Sequence, residues 1–317
     1  MGVMIDGQYQ VADPGPDTSA QGAYERARST LRDWITHDGP FTPDAGRYHL
    51  FVAWNCPWAH RTLLTRAVLG LQDAISISTA LPRRTDQGWV FDGEPLLGVQ
   101  ALHEVYARQT PPYTGRITVP VLWDKQTAQI VSNESADITR MLSHAFDPKR
   151  RLVPAAQEAA IDKWNDMIHR RINNGVYRAG FARTQAAYDE AVHDLFAALD
   201  ELDAHLATHT TLTGDHLSEA DLRFFPTLAR FDVAYHYAFK CNLARLTDYD
   251  HLWDYARALY AVPGVADTVT FDIYKAGYFS PSELRNPLGI VPAGPRVDWS
   301  PPPRRTITLP PPASSSD

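Results

Sequence analysis

The sequence predicts an α/β domain followed by an all-helical one. Three observations carry this. Between about residues 45 and 145, strand-like runs alternate with runs of helical spacing. Beyond about residue 150, apolar residues recur only three and four positions apart. At 317 residues and 44% apolar content, the chain can bury two cores.

Residues 1–44 read as a polar, irregular arm with turn signals in "DPGPD" and "HDGPFTPDAG" and one short helix near Tyr24 to Trp34. "RYHLFVAWN" reads as a strand with Tyr48, Leu50, Val52 and Trp54 on one face. "PWAHRTLLTRAVLG" reads as a helix. Pro57 suits its first position, where no N–H is needed, and Gly70 suits the residue past its end. "AISISTAL" is a second strand, and a long loop follows through "PRRTDQGWVFDGEP". "ALHEVYARQ" is a short helix, "ITVPVLWDK" and "QIVSN" are strands about a turn, and "ESADITRMLSHAF" is a helix. The order β-α-β-α-β-β-α is that of a thioredoxin-like domain, assigned to residues 45–150.

After "DPKRRLVPAA" only helices remain. Ile161, Trp164, Ile168 and Ile172 lie at helical spacing, as do Tyr188, Val192, Leu195, Leu199, Leu202 and Leu206. "SEADLRFFPTLARFD" opens on Ser218 with Asp221 three residues on, a capping-box pattern, and Pro226 is expected to kink it. Cys241 falls inside the helix read over "AYHYAFKCN" and counts as core. "HLWDYARALYAV" is a further helix, ended by "PGV". The helical domain is assigned to 151–295, and 296–317 form a Pro- and Ser-rich tail, extended and mobile.

A net charge of −7 gives no reason to expect nucleic acid as a partner. No apolar run approaches ~18 residues, so no membrane span is expected. "MGVMIDGQYQ" lacks the basic start and apolar stretch of a secretory signal. Two cysteines without such a signal point to a reducing, cytoplasmic setting and no disulfide framework. Twelve histidines show no paired metal-ligand spacing, so no metal is expected; neither a P-loop nor a dinucleotide fingerprint is present.

Cys56 stands between strand and helix. A thiol there faces unpaired backbone N–H groups and the positive end of the helix dipole, both favouring thiolate over thiol. It can therefore act as a nucleophile, or it can be a buried structural cysteine, a common state for this residue. Ala59 occupies the place of the second cysteine in C-x-x-C, so Cys56 cannot close a local disulfide and turnover would need an external thiol. Pro120, within an apparently central strand, is abnormal unless its bond is cis or it marks a turn. A cis bond would leave the backbone of Val119 free to pair with a peptide-like ligand. "NES" opens the next helix, so Glu134 and Ser135 sit where N–H groups bind a carboxylate, and Glu134 can receive an ammonium group. Alone, such a motif is usually a helix cap. With Cys56 and Pro120 it reads as a glutathione site.

These residues resemble the glutathionyl-hydroquinone reductases, the Xi class of the glutathione transferase superfamily, related to the omega class. The matching segments are "NCPWAHRTL", Gly88 to Phe91, "GRITVPVLWDK", "SNES", "INNGVYRAGFARTQ", "RFDVAYHYAFKCN" and "NPLGIVPAGP". The resemblance implies a reductase that removes glutathione from glutathionyl-hydroquinones, with Cys56 as nucleophile. It implies that Trp89, Arg116, Ile117, Thr118, Val119, Glu134 and Ser135 hold glutathione. Tyr177 would be the proton donor and acceptor at the hydroquinone ring, and Tyr235 and Tyr278 would hydrogen-bond the thiolate. The helical domain would form a homodimer interface. Gly277 departs from the family, which commonly has histidine before this tyrosine. Two other readings stay open: an omega-like thioltransferase or dehydroascorbate reductase, and a non-catalytic binding module on the same fold.

Overall fold

The computed structural model describes residues 2–11, 15, 17–146 and 151–311. The expected change of character at 147–150, part of the "DPGPD" turn and the last six tail residues lie outside these. In chain order, β1 (Val3–Ile5) and β2 (Gln8–Gln10) form a hairpin, and β3 (Asp17–Thr18) and β4 (Tyr24–Glu25) a shorter pair. Then come β5 (Tyr48–Ala53), α1 (Pro57–Val68), β6 (Ile75–Ala80), α2 (Leu102–Tyr106), β7 (Gly115–Arg116), β8 (Val121–Asp124), β9 (Gln129–Ser132) and α3 (Ser135–Ala145). Helices follow: α4 (Glu158–Met167), α5 (Gly175–Phe181), α6 (Gln185–Leu206), α7 (Glu219–Arg230), α8 (His236–Ala238), α9 (Asp250–Tyr260) and α10 (Phe271–Tyr278). Two compact units result, Met1–Gly15 with Arg28–Pro148 and Pro16–Ala27 with Lys149–Asp317.

In the first unit a four-stranded sheet runs in the order β6-β5-β8-β9. β5 and β6 are parallel, Tyr48 opposite Ile75, and α1 supplies the crossover that a parallel pair needs. β8 runs antiparallel to β5 and β9 to β8, which gives the mixed sheet of a thioredoxin-like domain. All six residues of β5 are buried, so the one-sided alternation read from its sequence is absent. A central strand covered on both faces needs no polar side. The hairpin β1–β2 builds a second sheet by pairing Val3 and Met4 with Arg116 and Gly115 of β7.

The short helix expected near Tyr24 to Trp34 is not formed. Tyr24 and Glu25 pair with Thr18 and Asp17, while Leu31 O accepts from Asn133 N and Asp33 N donates to Val131 O. Arg32 clamps Asp137 through two bonds of 2.6 and 2.8 Å. Backbone groups that a helix would satisfy internally are satisfied here by neighbouring segments, and 31–33 cover the open edge of β9.

In the second unit, α7 starts on the expected box, with Ser218 N donating to Asp221 at 2.8 Å. The helix continues through Pro226, and its ladder widens to π form only over Phe231–Tyr235. Helix α8 ends at Ala238, so Cys241 lies beyond the helix it was assigned to; Lys240 before it has φ of 57°. The core assignment of Cys241 stands, since it is fully buried. Over its described residues, 296–311, the tail is extended but packed. Trp299 inserts among Phe225, Trp253, Tyr260 and Phe271, and Arg305 pairs with the buried Asp254 at 2.9 Å. Composition alone could not show these anchors.

His49 of β5 joins β6 through Nδ1 to Ser76 Oγ (2.7 Å) and Nε2 to Ser78 Oγ (2.9 Å). Ser78 spends its one hydrogen on Glu94 (2.6 Å), so it accepts from His49, and the neutral ring leaves Nδ1 to accept from Ser76. Burial pushes the imidazole down to about 4, outweighing the nearby Glu94 carboxylate. Below the unfolded value of about 6.5 the unfolded chain takes a proton that the folded chain refuses, so this stability is present above that pH and lost toward 4. Between pH 7 and 4 the loss is on the order of 3 kcal/mol. In urea titrations, His49→Gln should show a flatter pH dependence by that amount; parallel curves would refute the assignment.

Candidate active site

Cys56 and the residues expected to hold the thiol lie in the first unit. Cys56 is the N-cap of α1, with extended backbone (φ −81°, ψ 120°) and Pro57 at the first helical position. Its carbonyl already accepts from His60 N at 3.0 Å, so its side chain stands at the mouth of the helix, before the open N–H groups. The thiol lies 3.6 Å from the carbonyl oxygen of Val119, toward which it donates. The Val119–Pro120 bond is cis, as expected of a proline at this place in a strand-like run. Cys56 is 9% exposed and Ala59 is fully buried beneath it. Neither Cys56 nor Cys241 is in a disulfide.

The Arg116–Val119 segment is held from both sides. Arg116 pairs with Val3 and reaches Gly15 O at 2.6 Å, and Tyr113 donates to its carbonyl. Tyr106 donates to Thr118 O at 2.9 Å while its oxygen receives Thr118 N and Asn133 Nδ2. Burial pushes the Tyr106 phenol up, which keeps it a donor. Ile117 and Val119 are buried and Thr118 is half-buried. Glu134 is the N-cap of α3 and accepts from Ala136 N at 3.1 Å, so one carboxylate oxygen caps its own helix. Ser135 lies 3.4 Å from Arg61 of α1, whose guanidinium stacks over Trp58; this buried cation joins the two helix starts. Trp89 sits in the 81–101 loop, its ring under the Arg84 guanidinium at 5.1 Å.

The three tyrosines belong to the second unit, which brings them together. Tyr278 at the end of α10 has its hydroxyl 2.9 Å from that of Tyr177 and 2.9 Å from that of Tyr235. Tyr177 follows one π-helical segment (Ile168–Asn173), and Tyr235 ends the other. Such widened turns re-aim side chains and are frequent at functional sites. A buried bond from Asn173 Nδ2 to Thr227 Oγ1 (2.7 Å) ties the first widened segment to α7 just before the second. Phe239 packs edge-on against Tyr177 and Tyr278, and it fits because position 180 is glycine: a Cβ there would meet its ring at 2.3 Å.

Burial raises the pKa of both Tyr235 and Tyr278 well above the free value, with neighbouring phenols adding to this and Arg230 opposing it. Arg230 is fully buried, its guanidinium 3.7 Å over the Tyr274 ring, one turn before Tyr278. Arg26 lies 4.8 Å over the Tyr177 ring and donates to Asn174. Arg26, Arg61, Tyr106, Arg230 and the Asn173–Thr227 pair were missed by sequence reasoning. Only Arg230, a charge amid the apolar "FFPTLARFD", carried a local signal. Burial also pushes the Cys241 thiol up, away from reactivity. Among the described residues, no group of three or more His, Cys, Asp or Glu could hold a metal ion.

Comparison with known proteins gives the family. Residues 55–145 match the family model of the glutathione S-transferase N-terminal domain, and 185–258 that of its C-terminal domain. Glutathionyl-hydroquinone reductase YqjG of Escherichia coli is 42% identical, covering 97% of this chain and 99% of its own length. Its glutathione-bound structure superimposes with a TM-score of 0.83 at 44% identity, over 86% of this chain and 95% of that one. Glutathionyl-hydroquinone reductase PcpF of Sphingobium chlorophenolicum is 43% identical over 93% of this chain and 96% of its own. The crystal structure of glutathione S-transferase Xi from Phanerochaete chrysosporium gives a TM-score of 0.87 at 42% identity, over 90% of this chain and 97% of that one. The chain therefore belongs to the glutathione S-transferase family, in its Xi class of glutathionyl-hydroquinone reductases.

Proposed function

We propose that this chain is a glutathione-dependent reductase that removes glutathione from glutathionyl-hydroquinones. The observation that carries the reading is Cys56 at the N-cap of α1 with alanine, not cysteine, at position 59. The positive end of the helix supports a thiolate, and the missing second thiol makes an external one obligatory. The near full-length likeness to YqjG and PcpF supports the choice of substrate, and the glutathione-bound structure of YqjG supports the choice of thiol.

The Cys56 thiolate attacks the sulfur of the conjugate. The bond from sulfur to ring carbon breaks with its electron pair left on the ring, and Tyr177 supplies the proton that makes it hydroquinone. Cys56 is left in a mixed disulfide with glutathione. A second glutathione thiolate attacks that disulfide, releases oxidised glutathione and restores Cys56. The ring carbon is reduced by two electrons and two glutathione sulfurs are joined. Glutathione is held by Trp89, Arg116 to Val119, Glu134 and Ser135, with the Val119 backbone pairing with the tripeptide and the start of α3 receiving a carboxylate. Tyr235 and Tyr278 support the anionic stages. Residues 45–150 bind glutathione, and 151–295 take the aromatic substrate and form a homodimer. The protein works in the cytoplasm; among the described residues no helix is long and apolar enough to cross a membrane.

Cys56→Ser should reduce turnover of a glutathionyl-hydroquinone to background, because a serine hydroxyl cannot form the mixed disulfide. Mass spectrometry of the wild type after one turnover should find one glutathione on Cys56. An adduct on Cys241, or a fully active serine variant, would overturn the assignment. Comparable rates on a simple mixed disulfide would favour a thioltransferase.

Tyr177→Phe keeps the ring and removes only the hydroxyl. As general acid, Tyr177 should be worth about 10²–10⁴-fold in kcat, with little change in KM and normal alkylation of Cys56 by iodoacetamide. A phenylalanine variant with wild-type kcat would leave Tyr177 a packing residue.

A further inference from the structure

We propose that Glu94 and Tyr9 are positioning residues for glutathione: they clamp the loop that carries Trp89 from its two sides, and thiol affinity depends on both. This inference rests on the reading of Trp89 as a glutathione contact. All the residues concerned lie in the first unit. The loop 81–101 joins β6 to α2, with Trp89 near its middle. Leu81 N donates to Val90 O (2.8 Å), Phe91 N to Gln100 O (2.9 Å) and Leu102 N to Trp89 O (2.9 Å). Residues 89–91 therefore form a short strip between the start and the end of the loop. Two-stranded pairings of this kind are marginal on their own in water, so the strip is held by the turns on either side of it.

The turn after Trp89 is closed by Glu94, which is buried. Its Oε1 accepts from Ser78 Oγ (2.6 Å) and Leu96 N (2.8 Å), and its Oε2 from Leu97 N (2.6 Å) and Gly98 N (3.0 Å). Gly93 and Gly98 have φ of 69° and 67°, the left-handed region that lets three successive N–H groups converge on one carboxylate. Ser78 belongs to β6 and accepts from His49 of β5, so the turn is tied to the middle of the sheet. Burial acts to raise the Glu94 carboxyl, but Ser78 and the backbone N–H groups outweigh it and hold the side chain as a carboxylate.

The turn before Trp89 is held from the outside. Thr85 and Gly88 exchange backbone bonds of 3.1 and 3.0 Å, and Tyr9 of β2 donates to Asp86 O between them at 2.5 Å. The Tyr9 ring stacks on His103 of α2, 4.1 Å between centroids, and His103 Nε2 meets Gln87 Oε1 at 3.1 Å. His103 follows Leu102, which binds the Trp89 carbonyl, and lies one turn before Tyr106, which holds Thr118 O at 2.9 Å. One short helix thus fixes both the Trp89 loop and the Arg116–Val119 segment. The β1–β2 hairpin reaches the same two places, through Tyr9 and through its pairing with β7. Segments already ordered in the free protein need not be ordered by the ligand, and that saving appears as affinity.

The test titrates the full chain with reduced glutathione by calorimetry and follows turnover of a glutathionyl-hydroquinone alongside. Glu94→Gln leaves one acceptor oxygen in place of two, so at least one N–H of residues 96–98 loses its partner in either orientation of the amide. It should raise the Kd for glutathione about tenfold, and KM with it, while kcat at saturating glutathione stays within about twofold. Tyr9→Phe removes one hydroxyl from the outer clamp and should raise Kd about fivefold; where Glu94→Gln fails to fold, it carries the same test. In a Trp89→Leu background either substitution should add less than about twofold, because effects that pass through one residue do not add. A folded variant with wild-type Kd, or a penalty that adds in full to that of Trp89→Leu, overturns the proposal. A wild type that binds no glutathione, or a Trp89→Leu variant with wild-type affinity, removes the reading of the thiol site and the proposal with it.

Discussion

The helical unit is organised around a carboxylate buried among uncharged donors. Asp221 is fully inaccessible and accepts from Ser218 N, Ser218 Oγ, Leu212 N and the Tyr255 hydroxyl at 2.8, 2.6, 3.1 and 2.5 Å. Burial pushes its carboxyl up, and these four donors act against that. A charge in such a place is tolerated only when its lone pairs are met, so the start of α7, the loop before it and α9 are fixed by one side chain. An α-helix rises 1.5 Å per residue, so anchoring α7 at Asp221 also sets where Arg230 falls, roughly 14 Å further on, and the widened segment that ends in Tyr235 starts from there. The tyrosine cluster inherits its precision from a cap far along the helix.

What the sequence showed and what it withheld follow from the range of the interactions involved. The sheet strands, α1, α3 and α6 were legible because period and end signals are local. Cys56 was legible for the same reason, since an N-cap is defined by its neighbours in sequence. The arm was misread as partly helical because its hydrogen bonds run to residues about a hundred positions away, at Val131 and Asn133. The tail was expected to be mobile because nothing in "PPPRRTITL" tells of the pocket for Trp299 or of Asp254 waiting for Arg305.

The tyrosines illustrate the limit most clearly. Tyr177 and Tyr278 are 101 positions apart, and no spacing rule joins them; only the family resemblance pointed to the set. That resemblance assigned Tyr235 and Tyr278 to the thiolate, and within the helical unit their hydroxyls lie 2.9 Å apart. The two π-helical segments that aim them leave no pattern in a 3.6-residue period, because a widened turn differs from its neighbours by one residue of slack.

Cys56 in the first unit and the tyrosines in the second stand in opposite electrostatic surroundings. At Cys56 an anion is favoured by backbone N–H groups and a helix dipole, which neither gain nor lose protons. In the proposed reaction the tyrosines are fully protonated before each turnover and become anionic only during it. Burial secures the first condition by holding Tyr235 and Tyr278 neutral at ordinary pH. Burial alone would also make the loss of a proton prohibitive. The buried Arg230 charge opposes that effect at both Tyr235 and Tyr278.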